Sequence, residues 1–157
     1  MLLQELIAME KVRVTKQFNF EMAHALMGYD GACKNIHGHS YKFSVTVIGY
    51  PNDNQNDPKW GMVIDFKDLN LIIKEKVVNI FDHSVVLQSK TPANIVNEMK
   101  KIYSNLIIKE YQPTCENLLI DFVNAIMTFL PLNAKLHSAR LEETATSFAE
   151  WFADDNS

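Results

Sequence analysis

His24, Cys33, His37 and His39 fall within sixteen residues, a dense grouping in a chain that holds five histidines and two cysteines. Imidazole is the commonest protein ligand for zinc. Three nitrogen ligands with one open position make a catalytic rather than a structural site. Zinc leads among metals because His24, His37 and His39 offer nitrogen alone. Cys33 has two readings. As a fourth ligand it would close the site and make it structural. As a free thiol beside a dication it would be held as thiolate, able to act as base or nucleophile. Spacing does not separate the two. Gly38, between two of the histidines, lets backbone and side chains crowd a small site.

Other reactive side chains read blandly on their own. Asp82-His83 follows an apolar helix end and fits a solvated C-terminus, where the dipole favours histidine. Thr114-Cys115-Glu116-Asn117 looks like a helix start, with Cys115 a small buried residue. Glu142-Glu143-Thr144 reads as a charged turn, and His137 as a structural histidine.

The elements that must position these residues follow from periodicity. Val12, Val14, Phe18, Phe20 and Met22 share one parity, which marks a half-buried strand, and His24 falls on the same parity. Tyr41, Phe43, Val45 and Val47 mark a second strand. If it starts early, His37 and His39 point to one face. The polar stretch 51–58 is a connection. Asp65 is the expected N-cap of a helix carrying Phe66, Leu69, Ile72, Ile73, Val77 and Ile80. Thr91-Pro92 opens a second helix, with proline at its first position. Pro113-Thr114 precedes a third, which Pro131 closes. Residues 135–151 read as two short strands around Glu143-Thr144-Ala145. The order predicts an α+β fold: an antiparallel four-stranded sheet with helices on one face, its open edges removed by oligomerisation.

At 157 residues the chain suits one domain, 1–157, with 1–10 as a flexible N-terminus. A net charge of −4 gives no reason to expect nucleic acid. Two cysteines make no disulfide framework. No stretch approaches a membrane span, and the N-terminus lacks the basic start of a signal peptide, so the cytoplasm is the expected compartment.

Together these pieces resemble the 6-pyruvoyl-tetrahydropterin synthase / 6-carboxy-tetrahydropterin synthase family. The matching segments are Phe20-Glu21-Met22-Ala23-His24, Cys33 to His39, Gly61 to Phe66, Phe81-Asp82-His83, Pro113 to Asn117 and Glu143-Thr144. The resemblance implies the tunnelling fold (T-fold), with subunits joined through their sheets into barrels, typically hexamers of stacked trimers. It implies 7,8-dihydroneopterin triphosphate as substrate and zinc held by His24, His37 and His39. Cys33 would be the catalytic base, with Asp82 and His83 as relay partners. Glu143 would anchor the pterin ring and join the proton relay, and Thr114 and Glu116 would lie near the pterin pocket. The Cys-x-x-x-His-Gly-His spacing looks more like the bacterial 6-carboxy-tetrahydropterin synthases of queuosine biosynthesis than the pyruvoyl-forming branch. Two other readings are a 6-pyruvoyl-tetrahydropterin synthase and a non-catalytic pterin- or purine-binding ring with a closed Cys-His₃ zinc. The stretch from Ser89 to Tyr111 is longer than a compact member requires. Lys34, Lys42 and Arg140 are the candidate cations for a triphosphate.

Overall fold

Strands β1 (Val12–His24) and β2 (His37–Gly49) form the backbone of the molecule, paired antiparallel along their whole length. The structure, a computed structural model, describes residues 10–157; the stretch expected to be flexible lies, but for Glu10, outside the described residues. Paired residues on neighbouring strands point to the same side. The register sets His24 opposite His37, Met22 opposite His39 and Phe20 opposite Tyr41. The apolar parity read from the sequence is the buried one: Phe18, Phe20, Met22, Tyr41, Phe43, Val45 and Val47 all face the core, and the three histidines share their face.

The sheet has six strands rather than the expected four, in the order β4-β3-β1-β2-β5-β6. The tail forms β5 (Ala134–Glu142) and β6 (Phe148–Phe152), as expected. The two additional strands are β3 (Ser84–Gln88) and β4 (Leu106–Lys109), which pair parallel. β3 carries three consecutive apolar residues, Val85-Val86-Leu87, and so lacks the alternation that marks a half-buried strand. β4 lies inside the long stretch after Ser89. A parallel pair needs a crossover, and the helix between them supplies it. β3 also runs parallel to β1, making the sheet mixed rather than antiparallel.

Helix α1 (Phe66–Ile73) starts where Asp65 accepts a hydrogen bond from the Lys67 N–H at 2.8 Å. It continues through a π-helical segment, Lys74–Val78, into a final turn, Asn79–Phe81. Its stripe of Leu69, Ile73, Val77 and Phe81 is buried. The crossover helix α2 (Ala93–Ile102) buries no residue, and Pro92 caps it rather than occupying its first turn. Helix α3 (Cys115–Met127), capped by Thr114, buries Leu118, Leu119, Phe122, Val123 and Ile126. Phe122 is the hub of the core, with ring centroids 6.0 Å from Phe20, 5.4 Å from Phe43 and 4.7 Å from Phe81. Truncating such a ring to alanine costs about 3–5 kcal/mol. No helix among the described residues is long and apolar enough to cross a membrane.

Candidate metal centre

The ends of β1 and β2 bring His24, His37 and His39 together, with one ligating atom from each within 4.8 Å of the others. Two of the three are fixed from behind by backbone. His24 Nδ1 donates to the Pro113 carbonyl at 2.7 Å, and His37 Nδ1 donates to the Asn35 carbonyl at 2.8 Å. A neutral imidazole carries one N–H, so both protons are spent on these carbonyls. The two Nε2 atoms that remain face each other at 3.1 Å with bare lone pairs. That approach requires either an extra proton or a cation between them. Burial lowers the His24 pKa below its ordinary value, disfavouring the proton. His39 Nε2 is buried and has no hydrogen-bond partner. Three convergent imidazoles with free Nε2 atoms, two of them oriented by carbonyls, fit a zinc ion.

Cys33 is not part of this compact cluster. It sits in a single 3₁₀ turn, Ala32–Lys34, half-buried, with its carbonyl accepting from the Leu26 N–H at 2.9 Å. It lies close enough to add to the upward pKa shift of the Tyr41 hydroxyl. That shift comes first from burial, then from Glu143, with Cys115 and Cys33 adding less. Four ligands would close the site; three leave a position open.

Glu143 follows directly after β5, its N–H donating to the Ser147 carbonyl at 3.0 Å in the β5–β6 connection. Its Oε1 lies 3.5 Å from His24 Nε2 and 3.8 Å from His39 Nε2, and accepts the Tyr41 hydroxyl at 3.2 Å. Tyr41 was missed in the sequence. The signal was there: it continues the parity of His37 and His39, and a phenol in a core position must find an acceptor. Thr114 caps α3, its hydroxyl accepting from the Asn117 N–H at 3.3 Å. The residue before it, Pro113, is the one that holds His24. Glu116 is exposed on the first turn of α3, with no hydrogen bond to the histidines among the described residues. Burial, with Glu143 adding to it, pushes the Cys115 thiol up to about 11.

Asp82 and His83 stand apart. His83 Nδ1 pairs with Asp82 Oδ1 at 2.9 Å, and the same oxygen accepts the Glu21 N–H at 2.9 Å. The His83 N–H donates back to the Glu21 carbonyl at 2.6 Å. His83 has φ of 57°, the one positive value outside glycine among the described residues. Such a conformation persists where its surroundings hold it, here through the double clamp on β1. Ser84 pairs with Met22 and Val85 with Ala23, so His83 is level with Glu21. Glu21 belongs to the parity opposite to His24. His83 therefore lies on the other face of the sheet, in a groove with Glu21, Ala23, Gly38 and Ser40 that His39 also lines, its side chain 79% exposed. Among the described residues no hydrogen bond or ion pair joins this dyad to Cys33 or the three histidines.

Of the candidate cations, Lys42 pairs with Glu142 at 3.7 Å, and Arg140 reaches Glu142 at 3.4 Å and Glu150 at 3.8 Å. Lys34 is exposed beside Cys33 and has no ion-pair partner among the described residues.

The sequence profile of the 6-pyruvoyl tetrahydropterin synthase family matches residues 13–154. The chain is 33% identical over 141 residues to a protein of Haemophilus influenzae named 6-carboxy-5,6,7,8-tetrahydropterin synthase, covering 88% of this chain and 97% of the relative. Its fold matches the 6-pyruvoyl tetrahydropterin synthase of Caenorhabditis elegans with a TM-score of 0.67 at 22% identity, covering 93% of this chain and 98% of the other. An uncharacterized protein from Wolinella succinogenes superimposes with a TM-score of 0.76 at 18% identity, covering 92% and 99%. The T-fold expectation stands, and the chain belongs to the 6-pyruvoyl tetrahydropterin synthase family.

Proposed function

We propose that this chain is a zinc-dependent lyase that converts 7,8-dihydroneopterin triphosphate and water to 6-carboxy-5,6,7,8-tetrahydropterin, acetaldehyde and triphosphate. The observation that carries the metal is the pair of bare Nε2 atoms of His24 and His37 at 3.1 Å, their other nitrogens already committed to carbonyls. The carboxy product is supported by the name of the Haemophilus influenzae relative.

His24, His37 and His39 would hold the zinc, and the chemistry it would supply when bound is that of a Lewis acid toward the side-chain oxygens of the substrate. Cys33, beside the cluster but outside it, takes the carbon-bound proton. Asp82 orients His83 through Nδ1, leaving Nε2 to return a proton at the neighbouring carbon. Because that dyad lies on the opposite face of its own sheet, it serves the Cys33 of another copy. Glu143 accepts paired N–H bonds from the guanidine-like edge of the pterin and joins the proton relay. Thr114 and Glu116 line the pterin pocket at the start of α3.

Assembly through sheet edges supports the sharing of sites. Among the described residues, the free edges of the sheet are β4 and β6. Pairing β4 of one copy with β6 of the next removes both, and a hexamer of two stacked trimeric rings is the assembly we propose, working in the cytoplasm. Lys34, which has no ion-pair partner among the described residues, is a cation open to the triphosphate. Anaerobic incubation with dihydroneopterin triphosphate, followed by chromatography, should yield the carboxy compound and stoichiometric acetaldehyde. A 6-pyruvoyl product without acetaldehyde would place the chain in the other branch of its family. Absence of triphosphate release would leave a binding ring.

A further inference from the structure

The loop between β1 and β2 carries Cys33, and it is tied to the rest of the chain at few points. It closes on itself where the Leu26 N–H donates to the Cys33 carbonyl at 2.9 Å. Among the described residues, two groups outside residues 26–35 hydrogen-bond to that stretch. One is the His37 ring, on the Asn35 carbonyl. The other is the side-chain amide of Gln112, which engages both polar groups of one peptide residue. The Met27 N–H donates to Gln112 Oε1 at 3.1 Å, and Gln112 Nε2 donates to the Met27 carbonyl at 2.8 Å. A primary amide carries a donor and an acceptor side by side, so here it takes the place of a neighbouring strand.

Gln112 is itself fixed. Its carbonyl accepts the Thr114 N–H at 2.7 Å and Asn117 Nδ2 at 3.0 Å. The next carbonyl, that of Pro113, is the one that holds His24. The segment entering α3 therefore grips the metal centre with one residue and the Cys33 loop with the residue before it. Met27 adjoins Leu26, and Leu26 bonds Cys33. That short path sets the backbone carrying the thiol against the backbone carrying the histidine.

We propose that Gln112 is a positioning residue for Cys33: its amide fixes the loop through Met27, so that the thiol keeps one place relative to the three histidines. The inference rests on the role of Cys33 as base proposed above. A misplacement of about 1 Å at a reacting group can cost about 10²-fold in rate. The amide should therefore act on kcat and leave binding alone.

The test replaces Gln112 in two ways, in the full chain. Gln112→Met keeps the length of the side chain and removes both bonds. Gln112→Glu keeps an acceptor for the Met27 N–H and loses the donor. In both, kcat for triphosphate release from dihydroneopterin triphosphate should fall about 10–100-fold, with KM and zinc content unchanged. The decisive readout is the double variant. Once Cys33 is alanine, Gln112→Met should lower the residual turnover no further, because the group it positions is gone. A merely structural role would lower turnover by the same factor with or without Cys33, and that result would overturn the proposal. So would an unchanged kcat in both Gln112 variants, loss of zinc in them, or failure of both to fold, which would make the amide a structural tie. Failure of the underlying reading looks different: Cys33→Ala alone would then keep its turnover.

Discussion

The two histidine-bearing regions of this molecule are built in opposite ways. His24, His37 and His39 sit on two regular 13-residue strands, on the core face. The ring of His24 is almost wholly buried, and those of His24 and His37 are locked by a carbonyl. His83 sits at an irregular junction with a positive φ, exposed on the other face, steered only by Asp82. A metal needs ligands held within tenths of an ångström before it arrives, and a packed strand pair provides that. A proton carrier needs the reverse: one nitrogen fixed, the other presented outward to whatever docks. Under the proposed function, the difference divides the chemistry into a rigid half and a presented half, which the proposed assembly would bring together.

The largest effect should come from the rigid half. His24→Ala, His37→Ala or His39→Ala should each abolish stoichiometric zinc and with it turnover, measured by metal analysis of the purified protein. His24→Ala should also cost about 1 kcal/mol of stability, because the buried Pro113 carbonyl loses its donor. Stoichiometric zinc in any of the three would remove that residue from the ligand set.

How much of this was visible beforehand divides along the same line. β1 and β2 alternate cleanly, so parity alone put His24, His37 and His39 on one face, and Asp65 and Thr114 announced their helices. The presented half was not readable. Val85-Val86-Leu87 shows no alternation, so β3 went unseen. Without β3 there is no register to say which face His83 takes. The sheet grew from four strands to six for that reason. Tyr41 was hidden by its own success as a core residue: the apolar period counted its ring and overlooked its hydroxyl. The contact of Glu143 with the cluster joins positions more than 100 residues apart, Tyr41 and Glu143 among them, and only the β2–β5 pairing brings them together.

Next in size is the chemistry that joins the halves. Cys33→Ala should keep zinc and fold while turnover falls about 10²–10⁴-fold, the range for losing a positioned base. Zinc loss in this variant would mean a closed four-ligand site instead. His83→Ala should fall by a similar factor with zinc intact. Mixing the two inactive variants, unfolded and refolded together, should restore part of the activity, because some sites then combine a native Cys33 with a native His83 from another copy. No recovery at any mixing ratio would place both groups in one chain and undo the division drawn above.

A smaller effect probes the rigid region by pH. Burial lowers the His24 pKa below its ordinary 6.5, so the folded chain binds fewer protons there than the unfolded chain does. Where the unfolded state holds more protons, stability rises with pH. The metal-free protein should therefore lose stability as pH falls below about 6.5, the loss continuing until the folded-state pKa is reached. His24→Ala should flatten that slope in denaturant titrations run at several pH values. An unchanged slope in His24→Ala would mean that other groups govern the acid limb.

The smallest effect contrasts the two cysteines. Cys115 opens α3 close to the site, near enough for Glu143 to help raise its pKa to about 11. At neutral pH it is a protonated thiol, neither base nor nucleophile. Its thiol donates weakly to the Leu141 carbonyl at 3.3 Å. Replacing it by alanine removes a half-buried sulfur at a helix start whose cap, Thr114, is untouched. Stability should change by less than about 1 kcal/mol, within the ordinary range for a partly exposed position. Zinc content and turnover should stay at the level of the unaltered protein. On the proposed roles, proximity to the histidines is not enough for chemistry: both thiols are half-buried, but Cys115 packs against the core and its pKa is raised by burial and Glu143. If Cys115→Ala lost turnover as Cys33→Ala does, the reacting carbon would have to lie on the α3 side of the cluster, and the assignment of the base would pass from one cysteine to the other.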